Sequence, residues 1–343
     1  MKNVIIILII SVVTVSCYKH EATFYKTIDG FTQGTTYHII FEQSDVNQSI
    51  SNVSKEDIDS LLSCFDLSLS TYLPNSIISR INNNDTTVLV DDYFKIVFEK
   101  SYEVYNATDG AFDTTVGPLV NLWGFGPDSG KETDTSKIDS LLQFVGMEKV
   151  KLSDNKVVKD FNGIFLDANA IAQGFSVDVI CRYLGKMGIS NYLVEIGGEI
   201  RSKGTKKSNE HWKVGIDKPY ENNYIPGENL QVILQLEDCS LATSGNYRKF
   251  YEKDGMKYSH SINPKKGYPV MDKLLSATIV AQDCMTADAY ATACMIMGFK
   301  KSKEFIENHR ELIAYFVYSG DSGEFKTWYS SEFEKLIWKE ISE

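Results

Sequence analysis

Histidine is scarce in this chain, and what there is lies scattered. The five histidines are His20, His38, His211, His260 and His309, and no two stand at a spacing that grips one metal ion. There is no H-E-x-x-H, no G-x-S-x-G, no G-x-x-x-x-G-K-[ST] and no G-x-G-x-x-G after a strand. A zinc hydrolase, a serine esterase, a P-loop NTPase and a Rossmann enzyme therefore all lose their usual signatures. Paired cysteines are also missing. Setting Cys17 aside leaves Cys64, Cys181, Cys239, Cys284 and Cys294, an odd number without a C-x-x-C, and 343 residues need no disulfide framework. Cys64, Cys181 and Cys294 sit in apolar helical patterns, so core filling is their expected role. An excess of basic charge is lacking too: the net charge of −11 argues against a nucleic-acid partner, whose phosphates need clustered Lys and Arg. No repeat, low-complexity tract or Pro-rich linker divides the chain, which reads as one folded unit behind a short leader.

That leader is Met1-Lys2-Asn3 followed by an apolar run from Val4 to Val13. The run is too short to span a bilayer as a mature helix and fits a secretory signal. Ser16-Cys17 then resembles the cleavage box of bacterial lipoproteins, in which the cysteine is lipidated and becomes the new N-terminus. Thr14 stands where leucine is commonest, and a plain secretory signal cut nearby is the competing reading. The expected organisation is a signal peptide over 1–16, a lipidated tether over 17–26 and one domain over 27–343. The expected location is the periplasmic face of a bacterial membrane, reached by a lipid anchor at Cys17.

Periodicity places the main elements. Ile58, Leu61, Leu62 and Phe65 recur at helical spacing behind a Ser54…Asp57 capping pattern. Phe94, Val97, Phe98 and Tyr102 mark a second helix, and Ile138, Leu141, Leu142 and Val145 a third, stopped by Gly146. A fourth runs from about Ala170 to Met187 and stops at Gly188. Strand-like runs are Thr36 to Phe41, Tyr192 to Ile196, Trp212 to Ile216, Leu230 to Leu236 and Leu275 to Ala281. Without a strict βαβ rhythm, the expected class is α+β, a mixed β-sheet core flanked by helices.

Four blocks concentrate Gly, Asp, Ser and Thr beyond what core packing requires. The first runs from Asp109 to Pro118 and is followed by Leu122-Trp123-Gly124-Phe125-Gly126. The second runs from Leu166 to Gly174, and the third covers Ala242 to Arg248 and Tyr258 to Pro269. The fourth, Met285 to Ala293, is the most specific, because Asp288, Ala291 and Thr292 fall at i, i+3 and i+4 on one helix face. A carboxylate and a hydroxyl there are hard oxygen ligands suited to Mg²⁺ or Ca²⁺. Asp288 equally reads as a carboxylate complementing the helix dipole, with Thr292 turned to the core. In the second block, N–H groups at a helix start suit an anionic phosphate, although Asp167 is also simply a good cap. Asp113 reads as a ligand or a turn residue. His260, between two serines, reads as an acid-base group or a hydrogen-bonded structural histidine.

Taken together and in this order, the blocks closely resemble the FAD:protein FMN transferase family, the ApbE-like flavin transferases. The resemblance runs from Gly34-Thr35-Thr36-Tyr37 to at least Gly298, with its strongest stretches at Gly117–Gly126, Glu195–Ile200 and Ser259–Pro269. It implies that Asp288 and Thr292 hold Mg²⁺, with backbone oxygens of Ala170 and Ala291. It implies that Gln33, Tyr72, Ala111, Phe112, Asp113, Asp167, Gln173 and Ile262 line the FAD site, and that His260 is catalytic. Three positions depart from the family's commonest pattern: Gln33 for Met, Gln173 for a charged residue, and Asn263 for Asp. The implied reaction moves FMN from FAD onto a Ser or Thr hydroxyl of a client redox protein, such as a membrane redox-pump subunit, and releases AMP. An FAD pyrophosphatase and a non-enzymatic flavin-binding lipoprotein are the alternatives.

Overall fold

The computed structural model describes residues 23–44, 53–127, 133–207, 209–219, 227–246, 250–253, 256–259 and 261–341. Its strands are β1 (Thr23–Thr32), β2 (Thr35–Ser44), β3 (Val150–Ser153), β4 (Lys156–Lys159), β5 (Tyr192–Ile196), β6 (Glu199–Lys203), β7 (Trp212–Asp217) and β8 (Leu230–Leu236). They continue with β9 (Ser240–Gly245), β10 (Phe250–Lys253), β11 (Met256–Ser259), β12 (Leu274–Ala281), β13 (Ile313–Ser319), β14 (Phe325–Tyr329) and β15 (Ile337–Glu340). The helices are α1 (Lys55–Leu69), α2 (Ile77–Asn82), α3 (Asp92–Ala107), α4 (Gly117–Leu122), α5 (Ile138–Leu142), α6 (Asn169–Lys186), α7 (Cys284–Met297) and α8 (Phe299–Asn308).

Eight strands form the central sheet in the order β1-β2-β5-β6-β9-β12-β13-β14. The α+β class holds, and every ladder in this sheet is antiparallel, with parallel pairing confined to an isolated bridge between Val116 and Phe165 among the described residues. Two of its hairpins close in two residues. Gln33 and Gly34 both take positive φ (50° and 75°), as do Gly197 and Gly198 (64° and 106°). A right-twisted hairpin needs that left-handed backbone in so short a loop.

Alternation along the strands builds three layers. Ala277 and Ile279 of β12, Ala314 and Phe316 of β13, and Val194 and Ile196 of β5 face the helices. Their neighbours Val280, Tyr315, Val317 and Leu193 face a smaller sheet of order β15-β8-β7. Strands covered on both faces read as continuous apolar runs, which is why Leu275 to Ala281 stands out in the sequence. Burying one such Val, Ile or Phe contributes roughly 1.5–3 kcal/mol, so this double burial anchors the fold.

Expected elements and boundaries mostly meet here. Ser54 and Asp57 form the reciprocal cap of α1, each side chain bonded to the other's backbone N–H. The third expected helix is shorter than its pattern, ending at Leu142 with Gln143 as its cap. Two readings are corrected. Thr23 to Lys26, placed in the tether, already belong to β1, paired with β2 and fastened by the Lys26 ammonium donating to the Val53 carbonyl at 2.6 Å. Cys64 is exposed rather than core-filling, because it projects from the solvent side of α1. Cys17 and the signal segment lie outside the described residues.

Candidate active site

The β1–β2 and β5–β6 turns lie side by side at the start of α6. Gly197 donates to the Thr36 carbonyl at 3.1 Å, and a Cβ on Gly197 would stand 1.7 Å from Gln173 Nε2 and 2.8 Å from Thr35 Cγ2. Gln173 fills that corner: its amide donates to the Ile196 carbonyl at 3.0 Å and to Glu199 Oε2 at 2.6 Å. Gln33 points to the same place, donating to Asp66 Oδ1 at 3.3 Å. The Ser176 hydroxyl donates to the Gln173 carbonyl at 2.7 Å and lies 3.4 Å from Gln33 Oε1.

One residue further along, α6 meets α7. Gly174 has no room for a side chain: a Cβ there would stand 2.4 Å from the Cys284 carbonyl oxygen and 2.7 Å from Asp288 Cβ. The close approach lets Gly174 N–H donate to Asp288 Oδ2 at 2.9 Å. That same N–H is the one whose helical partner is the Ala170 carbonyl, so Asp288 and the Ala170 oxygen lie against a single donor. Gly174→Ala is therefore expected to force the helices apart and to cost about 1–3 kcal/mol of stability, read from chemical denaturation.

Asp288 is buried, and burial pushes its carboxyl up to about 7 against that single N–H bond. No Lys or Arg pairs with it among the described residues. Thr292 follows one turn later and is half-buried. Ala291 is fully buried inside α7, where its carbonyl is already accepting from the next turn.

A second group forms where the first two blocks touch. Asp167 N–H donates to the Thr114 carbonyl at 2.7 Å, and Asp167 in turn accepts from Asn169 N–H at 2.9 Å. Burial raises the Asp167 carboxyl. Burial also pushes Asp113 up to about 6, against the Thr115 hydroxyl (2.5 Å) and amide (2.7 Å) that donate to it. Tyr72 is 60% exposed, and its phenol is raised by burial of its inner edge and by the Asp167 charge.

Phe112 and Ile262 turn their side chains into the core, so only their backbones can face a ligand. Ala111 borders a cavity of about 920 Å³, together with Asn263 and Ile296. Ile296 lies one turn beyond Thr292, so the Asp288–Thr292 face of α7 runs toward this cavity. His260 lies outside the described residues; its neighbour Ser261 is buried. Sequence reasoning assigns no role to Gly174, Asp66, Ser176 or Glu199. Glu199 stands in a motif, but nothing in its spacing reveals that it holds Gln173.

The sequence pattern of the ApbE family matches residues 33–316. The chain belongs to that family. It is 36% identical to an FAD:protein FMN transferase of Vibrio cholerae over 317 residues, covering 91% of this chain and 92% of the relative. It is 35% identical to an enzyme of the same name from Haemophilus influenzae, covering 90% and 91%. Among solved structures, the ApbE flavin transferase of Vibrio cholerae superimposes with a TM-score of 0.80 at 33% identity, over 92% of this chain and all of that one. An ApbE protein of Thermotoga maritima gives 0.79 at 27% identity, over 92% and all of its length. The matched range includes all four blocks.

Proposed function

We propose that this ApbE-family enzyme uses Mg²⁺ to move FMN from FAD onto a Ser or Thr hydroxyl of client redox proteins, releasing AMP. The observation that carries the reading is the buried Asp288 carboxylate, held against the Ala170 turn without a cationic partner among the described residues. A carboxylate, a hydroxyl and a backbone carbonyl make an all-oxygen set that fits Mg²⁺, which keeps waters and substrate phosphates as its remaining ligands. Asp288, Thr292 and the Ala170 carbonyl would hold the ion, and Ala291 would at most support them. When bound, Mg²⁺ neutralises charge developing on the phosphates.

The chain's own residues do the rest. Gln33 and Gln173, locked by Asp66, Ser176 and Glu199, shape one wall of the FAD site. Tyr72, Asp113 and Asp167 shape another, with backbone of Ala111, Phe112 and Ile262 at its edge. The acceptor oxygen forms a bond to the FMN phosphorus as the P–O bond to AMP breaks, and His260 takes the hydroxyl proton. Incubating the protein with FAD, Mg²⁺ and a Thr-bearing acceptor protein should leave flavin fluorescence on the acceptor in a denaturing gel. Release of FMN and AMP with an unlabelled acceptor would instead make the enzyme an FAD pyrophosphatase.

The Ser16-Cys17 box supports a lipid anchor, which would keep enzyme and membrane clients in one thin layer and raise their effective concentration. Cys17→Ser is then expected to move the protein to the soluble fraction with transfer in vitro intact. Membrane retention of that variant, with no acyl label on the parent, would exclude the anchor.

A further inference from the structure

A second buried carboxylate joins α6 to α7, and metal binding alone does not explain it. Asp178 stands four residues after Gly174 on α6 and has no exposed surface. Its Oδ1 accepts from Cys284 N–H at 3.1 Å and from the Arg201 guanidinium, and its Oδ2 accepts from Met285 N–H at 2.9 Å. Cys284 stands four residues before Asp288. The helices thus exchange carboxylates on two rungs one turn apart: Asp288 to the amide of Gly174, and Asp178 to the amides of Cys284 and Met285.

Capping accounts for part of the second rung but not for its guanidinium. At the α7 N-terminus Asp283 accepts from Thr286 N–H at 2.8 Å, and Asp178 satisfies the buried Cys284 and Met285 amides that this cap leaves over; neither task requires Arg201. Plain packing does not call for an ion pair on a fully buried carboxylate, because apolar groups of the same shape often serve stability as well or better. Arg201 comes from β6, the strand that opens with Glu199 and so reaches Gln173. Asp178 therefore ties together α6, α7 and β6, the three elements that bring Ala170, Gln173, Asp288 and Thr292 to one place.

We propose that Asp178 and Arg201 are positioning residues that set the register of α7 on α6, so that the Asp288 carboxylate and the Ala170 carbonyl face one divalent cation. This rests on the Mg²⁺ reading above. The lower rung leaves the upper one little freedom, because Gly174 and Asp288 are already in van der Waals contact and any slip of α7 must break the Asp178 bonds. Groups that orient a metal ligand from outside the coordination sphere typically change metal affinity by about 10- to 100-fold when removed.

The test uses the full-length protein in detergent, saturated with FAD and titrated with Mn²⁺, free Mn²⁺ being followed by electron paramagnetic resonance. Asp178→Asn and the neutral pair Asp178→Asn/Arg201→Gln are both expected to weaken Mn²⁺ binding roughly tenfold or more. The neutral pair leaves no unpaired charge and should melt near the wild type in EDTA, which separates positioning from loss of structure. Arg201→Lys keeps the charge without the rigid fork and should shift affinity the same way by less, providing a measurement if the others fold poorly. Wild-type Mn²⁺ affinity in the folded variants, with only the melting temperature altered, would overturn the proposal. A wild type that binds no Mn²⁺ would overturn the metal reading itself and this role with it.

Discussion

Asp288→Asn should fold, lose FMN transfer by about 10²-fold or more, and gain stability when metal is absent. The first effect follows from charge: an amide oxygen cannot match a carboxylate's field at Mg²⁺. The second follows from burial. In the metal-free protein the Asp288 carboxyl rises from its ordinary value near 3.8 to about 7. A carboxyl raised in the folded state favours folding while it is protonated, and that contribution is lost as pH climbs from about 4 through 7. Above that range the wild type holds a buried negative charge with one N–H bond, whereas the variant's side-chain amide is neutral and can still accept from Gly174. Melting curves in EDTA should therefore show the variant's advantage over wild type growing as pH rises from about 4 to 7 and holding at pH 8. Adding Mg²⁺ should raise the wild-type melting temperature far more at pH 8 than at pH 5, and leave the variant unmoved. Full transfer by the variant in excess chelator would remove Asp288 from the metal site.

His260→Ala separates chemistry from binding. A general base contributes typically about 10²–10⁴-fold to rate, and its loss should appear in turnover rather than in FAD affinity, because the proton moves only in the transition state. The variant is expected to bind FAD with Mg²⁺ almost normally, to transfer FMN very slowly, and to recover partly as pH rises and the acceptor hydroxyl needs less help. A structural histidine predicts the opposite pair of results: weaker FAD binding or lower melting temperature, with near-normal turnover once FAD saturates. Measuring both quantities on one preparation decides the matter. Normal turnover at saturation would pass the base role to a neighbouring carboxylate.

Local signals carry much of this structure. The reciprocal cap at Ser54 and Asp57, the strand from Tyr192 to Ile196, and the i, i+4 placing of Asp288 and Thr292 on one helix all follow from short-range pattern. What pattern cannot show are contacts made across long stretches of chain. Gly174 looks like an ordinary small residue of α6 until α7, more than a hundred residues later, lies against it. Asp178 reads as a polar residue at helical spacing, and only the fold gives it two amides and a guanidinium to hold. Phe112 and Ile262 stand in ligand-lining motifs, yet their side chains serve the core, because a motif does not say which part of a residue faces the site. The shorter strands, such as β14 and β15, carry mostly exposed side chains and so lack the apolar run that reveals a buried strand.

Double coverage of the central strands has a consequence for amide hydrogen exchange. The backbone amides of Ala277 to Ala281 and Ala314 to Val317 belong to strands paired on both sides in the sheet and roofed by side chains above and below. They should exchange only when the whole domain opens, at a rate indifferent to ligand except through global stability. The turn at Gln33-Gly34, the turn at Gly197-Gly198 and the first turn of α6 hang from the ends of that slow scaffold. Their amides should exchange by small local openings, and FAD with Mg²⁺ should slow those amides selectively.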